Sequence, residues 1–309
     1  MTPAGATSID VEVEGRALKL SNLDKVLYPA TGFTKGQVID YYTRVAPALL
    51  PHLRQRALTL KRYPNGVDGQ FFYEKNCPKH RPPWINTVSV YSSRNKADIA
   101  YCVIDDLPSV VWVANLASLE LHTSLSASTR VEQPTALVFD LDPGAPATIV
   151  ECSQVALWLR ETLGQLGLQC FPKTSGSKGL QIYAPLNIEG VSYEGTKPFA
   201  HAIARMLESE HPDLVLSSMA KDLRKGKVFI DWSQNDFSKT TVCVYSLRAR
   251  ERPTASTPVT WEEVEGVADT RDASLATFEA DAVLARLEKE GDLFAPVADL
   301  QQALPSPPA

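Results

Sequence analysis

The stretch Ala136-Leu-Val-Phe-Asp140-Leu-Asp142-Pro-Gly144 governs the reading of the whole chain. Its four apolar residues predict a buried strand, and Pro143-Gly144 predicts where that strand stops. Side chains alternate along a strand, so Asp140 and Asp142 fall on one face, about 7 Å apart at roughly 3.3 Å rise per residue. Two carboxylates so placed repel each other unless a cation sits between them, and a hard divalent ion with oxygen ligands is the natural guest. Asp ahead of Pro-Gly is equally ordinary turn chemistry. Spacing alone leaves turn and metal site evenly matched.

A third acid shifts the balance. Val228-Phe-Ile-Asp231 repeats the pattern of an apolar strand ending in aspartate. If the two strands are neighbours, three carboxylates converge at one sheet end, an arrangement that can hold two divalent ions. Thr174-Ser-Gly-Ser-Lys-Gly179 is not a Walker A loop, but its small residues, hydroxyls and lysine suit a polyphosphate. Its expected context is strand-loop-strand, unlike the strand-to-helix turn of a dinucleotide fold. Lys61-Arg62-Tyr63 and Phe71-Phe72-Tyr73 with Lys75 interleave cations with aromatic faces, a pattern that can stack bases and hold phosphates. Further basic clusters, Lys221 to Lys227 and Lys239 to Arg252, flank Asp231.

The composition, 309 residues with 44% hydrophobic and 22% charged, is that of a globular protein with a sizeable core. No apolar run is long enough for a membrane span, and Met1 to Asp10 lacks the basic-then-apolar pattern of a secretory leader, so a cytoplasmic, nucleoid-associated location is expected. The net charge of −5 hides an asymmetry: Glu251 to Ala309 carries twelve acids and four Lys or Arg, which leaves the rest of the chain basic. Five scattered cysteines without a CxxC pair predict reduced structural thiols rather than zinc or a disulfide framework. There is no HExxH and no GxSxG.

Local patterns predict a hairpin or edge strand within the first twenty residues and a helix from Lys35 to about Leu50 capped by Thr34. Strands are expected at Ala57–Leu60, Thr87–Tyr91, Tyr101–Ile104, Leu180–Tyr183 and Lys227–Asp231. Helices are expected at Leu107–Ala117, Thr148–Leu166, Lys197–Ser209 and Ala280–Lys289. Strands and helices in irregular order suggest a mixed sheet rather than a barrel.

Together these residues resemble the archaeo-eukaryotic primase superfamily, and more narrowly the polymerase domain of bacterial ligase D and its stand-alone relatives, the mycobacterial-type primase-polymerases. The resemblance runs from about Leu18 to Leu293. It is carried, in order, by Asn22-Leu-Asp-Lys25-Val-Leu-Tyr-Pro, Lys61-Arg-Tyr-Pro-Asn-Gly66, Phe-Asp140-Leu-Asp142-Pro-Gly, Thr174-Ser-Gly-Ser-Lys-Gly-Leu180, and Val-Phe-Ile-Asp231-Trp-Ser-Gln-Asn235 with Tyr245-Ser-Leu-Arg248. It implies a mixed α/β (α+β) primase-polymerase fold with a mixed central sheet, an RRM-like catalytic core and flanking helices. The expected layout is one domain over 1–309, with a core at about 18–293 and a Pro-rich tail at 294–309.

The resemblance also implies roles. Asp140, Asp142 and Asp231 would ligate two divalent cations, Mn²⁺ or Mg²⁺. Lys61, His122, Ser175, Lys178, Gln234 and Arg248 would hold a nucleoside triphosphate (NTP or dNTP), with Phe72 and Tyr73 against the template base and nucleotide. Asn22, Lys25 and Lys35 would take a DNA 5′-phosphate, for which two lysines beside a helix N-terminus have the right charge. One departure stands out: the family usually has His where this chain has Gln181, which keeps an N–H donor but carries no charge. The implied activity is template-directed nucleotidyl transfer in DNA repair by non-homologous end joining. It would fill gaps or break ends, prefer ribonucleotides and rely on a separate DNA ligase. The alternatives are a primer-synthesising primase and a weakly catalytic DNA-end-binding scaffold.

Overall fold

The computed structural model describes residues 7–92 and 95–305. The chain opens with an antiparallel hairpin, β1 (Ser8–Val13) and β2 (Arg16–Ser21), then a short ribbon of β3 (Val26–Tyr28) and β4 (Phe33–Thr34). Thr34 caps α1 (Lys35–Leu53) as expected, its side chain and that of Gln37 closing a reciprocal capping box. Next come β5 (Arg56–Arg62), β6 (Phe72–Glu74), β7 (Asn86–Ser92) and β8 (Ala97–Val103), then α2 (Leu107–Asn115) and β9 (Ser118–Ala127). The second half runs β10 (Ala136–Pro143), α3 (Ile149–Gln165), β11 (Phe171–Thr174), β12 (Leu180–Pro185), α4 (Tyr193–Glu210), β13 (Val215–Leu216), β14 (Val228–Asp231) and β15 (Thr241–Val242). It closes with α5 (Trp261–Thr270), α6 (Ala280–Glu290) and α7 (Pro296–Asp299).

Two sheets organise the molecule. One has the order β15-β9-β5-β8-β7, with β6 added to β5. The other has the order β11-β12-β10-β14-β13. Its first four strands, with α3 after β10 and α4 after β12, form the βαββαβ unit of an RRM-like core. Alternation sets its two faces. Leu137, Phe139, Leu141, Ile182, Val228 and Ile230 bury against α3 and α4, whereas Ala136, Val138 and Tyr183 point the other way into a core shared with the first sheet. Asp140 and Asp142 lie on that second face, at the end where the shared core gives way to a cleft.

Two features depart from the sequence reading. Cys77 and Cys102 are joined in a disulfide, where reduced thiols were expected. They lie 25 residues apart, but the β6–β7 connection folds back on β8, bringing their Cα atoms to 4.9 Å. Cys152, Cys170 and Cys243 are free and buried. Helix α4 starts a turn before the expected Lys197, capped by Ser192 and tolerating Pro198. Within the segment read as a Pro-rich tail, Phe294 and Val297 are buried, and the Gln302 amide donates to Pro185 O at 2.7 Å. Residues 306–309, the end of that tail, and 1–6, the start of the stretch read for a leader, lie outside the described residues. Among the described residues no helix is long and apolar enough to cross a membrane.

Candidate active site

The antiparallel register of β10 places Asp231 of β14 directly opposite Asp140 on one side and Gln181 of β12 on the other. Gln181 in turn faces Lys173 of β11. Lys173, Gln181, Asp140 and Asp231 therefore form one row across four strands on a single sheet face, with Asp142 two residues along β10 on the same face. Burial raises the Asp140 carboxyl above its ordinary range, and the charges of Asp142 and Asp231 add to this, while a hydrogen bond from Gln181 opposes it. Asp142 is raised as well, by burial and then by Asp231. Carboxyls that destabilise one another in this way suit a hard cation.

Asp231 is engaged in a local cap. Its carboxylate accepts from Ser233 N (3.0 Å), Ser233 Oγ (2.6 Å) and Gln234 Nε2 (2.8 Å). Among the described residues no three His, Cys, Asp or Glu side chains stand as a ready metal cage. The oxygen-only donor set fits a divalent ion, with Asp231 reached by releasing its cap. Asn235 continues the sheet where β14 ends, its amide donating to Val138 O (2.7 Å) and its carbonyl accepting from Val138 N (2.9 Å).

The Thr174–Gly179 loop joins β11 to β12, the strand-loop-strand context expected. Its amides are not open, however: Ser175 Oγ accepts from the N–H groups of Ser177, Lys178 and Gly179, each at 3.2 Å. The loop therefore offers a phosphate its side chains first, and its amides only if Ser175 turns away. Gly176 has φ +67°, and a Cβ on Gly179 would lie 1.9 Å from Leu141 O, so the loop sits backbone-to-backbone on β10.

The other wall of the cleft comes from the first sheet. In β5 and β9, Thr59 is registered with His122 and Lys61 with Glu120, and Val242 of β15 extends the His122 row. Glu120 is buried among two cations and a histidine: Lys61 Nζ (3.2 Å), Arg248 Nε (3.4 Å) and His122 Nε2 (2.9 Å). Burial alone would raise its carboxyl, but the His122 hydrogen bond and the charges of Arg248, His122 and Lys61 hold it far below the usual range. Burial keeps His122 below its ordinary pKa despite Glu120. Arg248 also donates to Ser175 O at 2.6 Å, tying this wall to the loop. Lys61 Nζ lies 4.7 Å from the Phe71 ring and 5.5 Å from Tyr73.

Between the walls is a cavity of about 500 Å³ lined by Asp140, Asp142, Gln181, Ser175, Lys178, Gln234, His122, Tyr73, Thr59, Arg248, Lys75 and Lys239, among others. Most residues singled out from the sequence thus meet here. Phe72 does not. In the β5–β6 register Tyr73 pairs with Lys61 on the cleft side, whereas Phe72 pairs with Arg62 on the opposite face, 5.1 Å from its guanidinium.

That opposite face borders a second cavity, of about 580 Å³, lined by Asn22, Lys25, Lys35, Arg62, Asn65 and His80. Lys25 donates to Asn65 Oδ1 (2.9 Å) and Lys35 to Ser21 O (2.7 Å). Burial first, then the charges of Lys25 and Arg62, push Lys35 down to about 8. The helix N-terminus expected to help is already satisfied: the amides of Lys35, Gly36 and Gln37 bond to Lys25 O, Leu23 O and Thr34 Oγ1. An anion here meets lysine side chains rather than helix amides. Strand β5 thus serves both cavities, Lys61 facing one and Arg62 the other.

Sequence reasoning missed Glu120, Thr59 and Lys173. The alternation Leu119-Glu-Leu121-His was the available signal for β9, and it puts Glu120 and His122 on one face. The Thr59 hydroxyl, buried and lining the cleft, has no partner among the described residues. Lys173 is wholly buried, and burial pushes it down to about 7.

An RRM-like sheet with carboxylates on its open face, closed by a second sheet bearing cations and aromatics, defines a class of fold: the primase-polymerase palm. The comparisons narrow it. The model of the LigD primase-polymerase domain matches residues 34–294, and the chain belongs to that family. It is 43% identical over 294 residues to a multifunctional non-homologous end joining protein LigD of Mycobacterium bovis, covering 91% of this chain and 38% of that protein. It is 32% identical over 277 residues to a bifunctional LigD of Bacillus subtilis, covering 90% and 43% respectively. The chain thus spans well under half the length of these relatives. A solved polymerase domain of Mycobacterium tuberculosis ligase D, in complex with DNA, superposes with a TM-score of 0.84 at 41% identity, covering 92% of this chain and 99% of that one.

Proposed function

We propose that the chain is a template-directed nucleotidyltransferase that extends a 3′-hydroxyl across short gaps or at broken DNA ends in non-homologous end joining. The observation that carries this is the acidic row of β10 and β14 facing the cationic, aromatic wall of β5, β6 and β9 across one cavity. Divalent cations, Mn²⁺ or Mg²⁺, held by Asp140, Asp142 and Asp231 would acidify the attacking hydroxyl and neutralise the triphosphate. In this reading Lys178, Arg248 and Ser175 hold the triphosphate, with Lys61, His122 and Gln234 beside the nucleotide. Tyr73, 56% exposed in the cleft, stacks the base. Asn22, Lys25 and Lys35 hold a 5′-phosphate at the far side of the gap, so the duplex straddles β5. Phe72, 44% exposed on the Arg62 side, contacts DNA rather than the nucleotide. Ribonucleotides are the preferred substrates, and DNA ligation seals the product.

The test is extension of a primer on gapped duplexes with ribo- or deoxyribonucleotides and a 5′-phosphate or 5′-hydroxyl downstream. Ribonucleotide incorporation stimulated by the 5′-phosphate is expected. Binding without incorporation under any condition would refute the proposal.

A further inference from the structure

Lys173 has no exposed surface and occupies the end of the acidic row. Its ammonium has three N–H groups, and it donates to Gln181 Oε1 (2.5 Å), Ser256 Oγ (2.8 Å) and Val242 O (3.1 Å). The Ser256 hydrogen is committed to Thr174 O at 2.8 Å, so that hydroxyl can only accept from the lysine. An ammonium only donates, which sets the Gln181 carbonyl oxygen toward Lys173 and its NH₂ toward Asp140. The opposite flip would put two N–H donors face to face and an amide oxygen against a carboxylate. Gln181 is the register partner of Asp140 on the neighbouring strand, which sets that NH₂ beside the carboxylate.

We propose that Lys173 is a positioning residue of this site: through the Gln181 amide it orients the Asp140 carboxylate for cation binding. The inference rests on Asp140 being a cation ligand, as proposed above. A purely structural lysine would behave differently. Replacing a lysine that only held the fold would cost stability, because three buried acceptors lose their donor, and would leave cation binding untouched. Position 173 instead spends its burial on orienting one amide. A basic nitrogen, absent at Gln181 itself, lies one strand behind it.

Mn²⁺ binding to the DNA-free protein, followed by electron paramagnetic resonance, separates these roles, with thermal melting recorded on the same samples. Lys173→Met and Gln181→Leu should each weaken Mn²⁺ about tenfold or more, the scale on which residues orienting a ligand usually act. Both should also melt lower than the native protein, because each leaves buried polar groups without a partner, so Mn²⁺ affinity of the folded protein is the readout that discriminates. The double variant should be no worse than either single one, because the lysine acts only through the amide. Native Mn²⁺ affinity in Lys173→Met, or additive losses in the double variant, would overturn the proposal. If Lys173→Met does not fold, Gln181→Leu carries the same test. Asp140→Ala is the control: Mn²⁺ affinity unchanged by that substitution would fault the cation reading itself rather than the role of Lys173.

Discussion

Replacing Glu120 by glutamine removes the one negative charge that Lys61, His122 and Arg248 share, at 3.2, 2.9 and 3.4 Å. The carboxylate is 2% exposed and its partners 13–17%, so solvent screens these contacts little. Removing one partner of such a buried cluster costs about 3–5 kcal/mol. Glutamine can still accept from Ala249 N (3.1 Å in the native protein), which places the expected loss near the lower end of that range. The pH dependence has a definite sign. The folded carboxyl titrates below its unfolded value of 4.5, so its contribution is present above that pH and fades as the solution is acidified. Urea unfolding of native and Glu120→Gln protein should therefore differ most at neutral pH and converge in acid. Lys61, His122 and Arg248 lose their anchor, and nucleotide affinity should fall about tenfold, or ~1.4 kcal/mol. A variant within ~1 kcal/mol of native at neutral pH, with unchanged nucleotide affinity, would show that Glu120 does not hold this wall together.

Other perturbations separate the two cavities. Tyr73→Ala should raise the KM for nucleotide about tenfold, within the ~1–3 kcal/mol of base stacking, whereas Phe72→Ala should weaken duplex binding and leave that KM alone; steady-state kinetics and fluorescence anisotropy distinguish them. Lys35, lowered to about 8, is charged below that pH and neutral above it. The affinity advantage of a 5′-phosphorylated over a 5′-hydroxyl end should thus be full at neutral pH and shrink as pH rises past 8, and a pH-independent advantage would exclude Lys35. Gly179→Ala drives a methyl to 1.9 Å from Leu141 O on the strand bearing both aspartates. It should lower stability by ~1–3 kcal/mol, as overpacking does, and abolish incorporation, read by calorimetry and primer extension.

Much of this was legible from short periodicities. The two-residue spacing in β10 gave the shared face of Asp140 and Asp142, the apolar run ending in Asp231 offered a third acid if its strand lay alongside, and the glycine-serine loop announced itself by composition. Register was not legible. That Lys173, Gln181, Asp140 and Asp231 share one row depends on the pairing of four strands, which no local pattern encodes. Alternation within Phe71-Phe72-Tyr73 could have separated Phe72 from Tyr73, but only once β6 was known to be a strand. The occupied amides of the Ser175 loop and of α1 reflect side-chain caps, which turn an apparent anion site into one that depends on lysines. Cys77 and Cys102 met through a fold-back that spacing does not reveal.

The central claim is that Asp140 and Asp142 are the catalytic acids of a gap-filling polymerase. Mn²⁺-dependent primer extension on a 5′-phosphorylated gapped duplex, comparing native protein with Asp140→Ala/Asp142→Ala, tests it most directly. The account predicts incorporation by the native protein and none by the variant, with duplex binding retained by both. Extension that survives in the variant would contradict it.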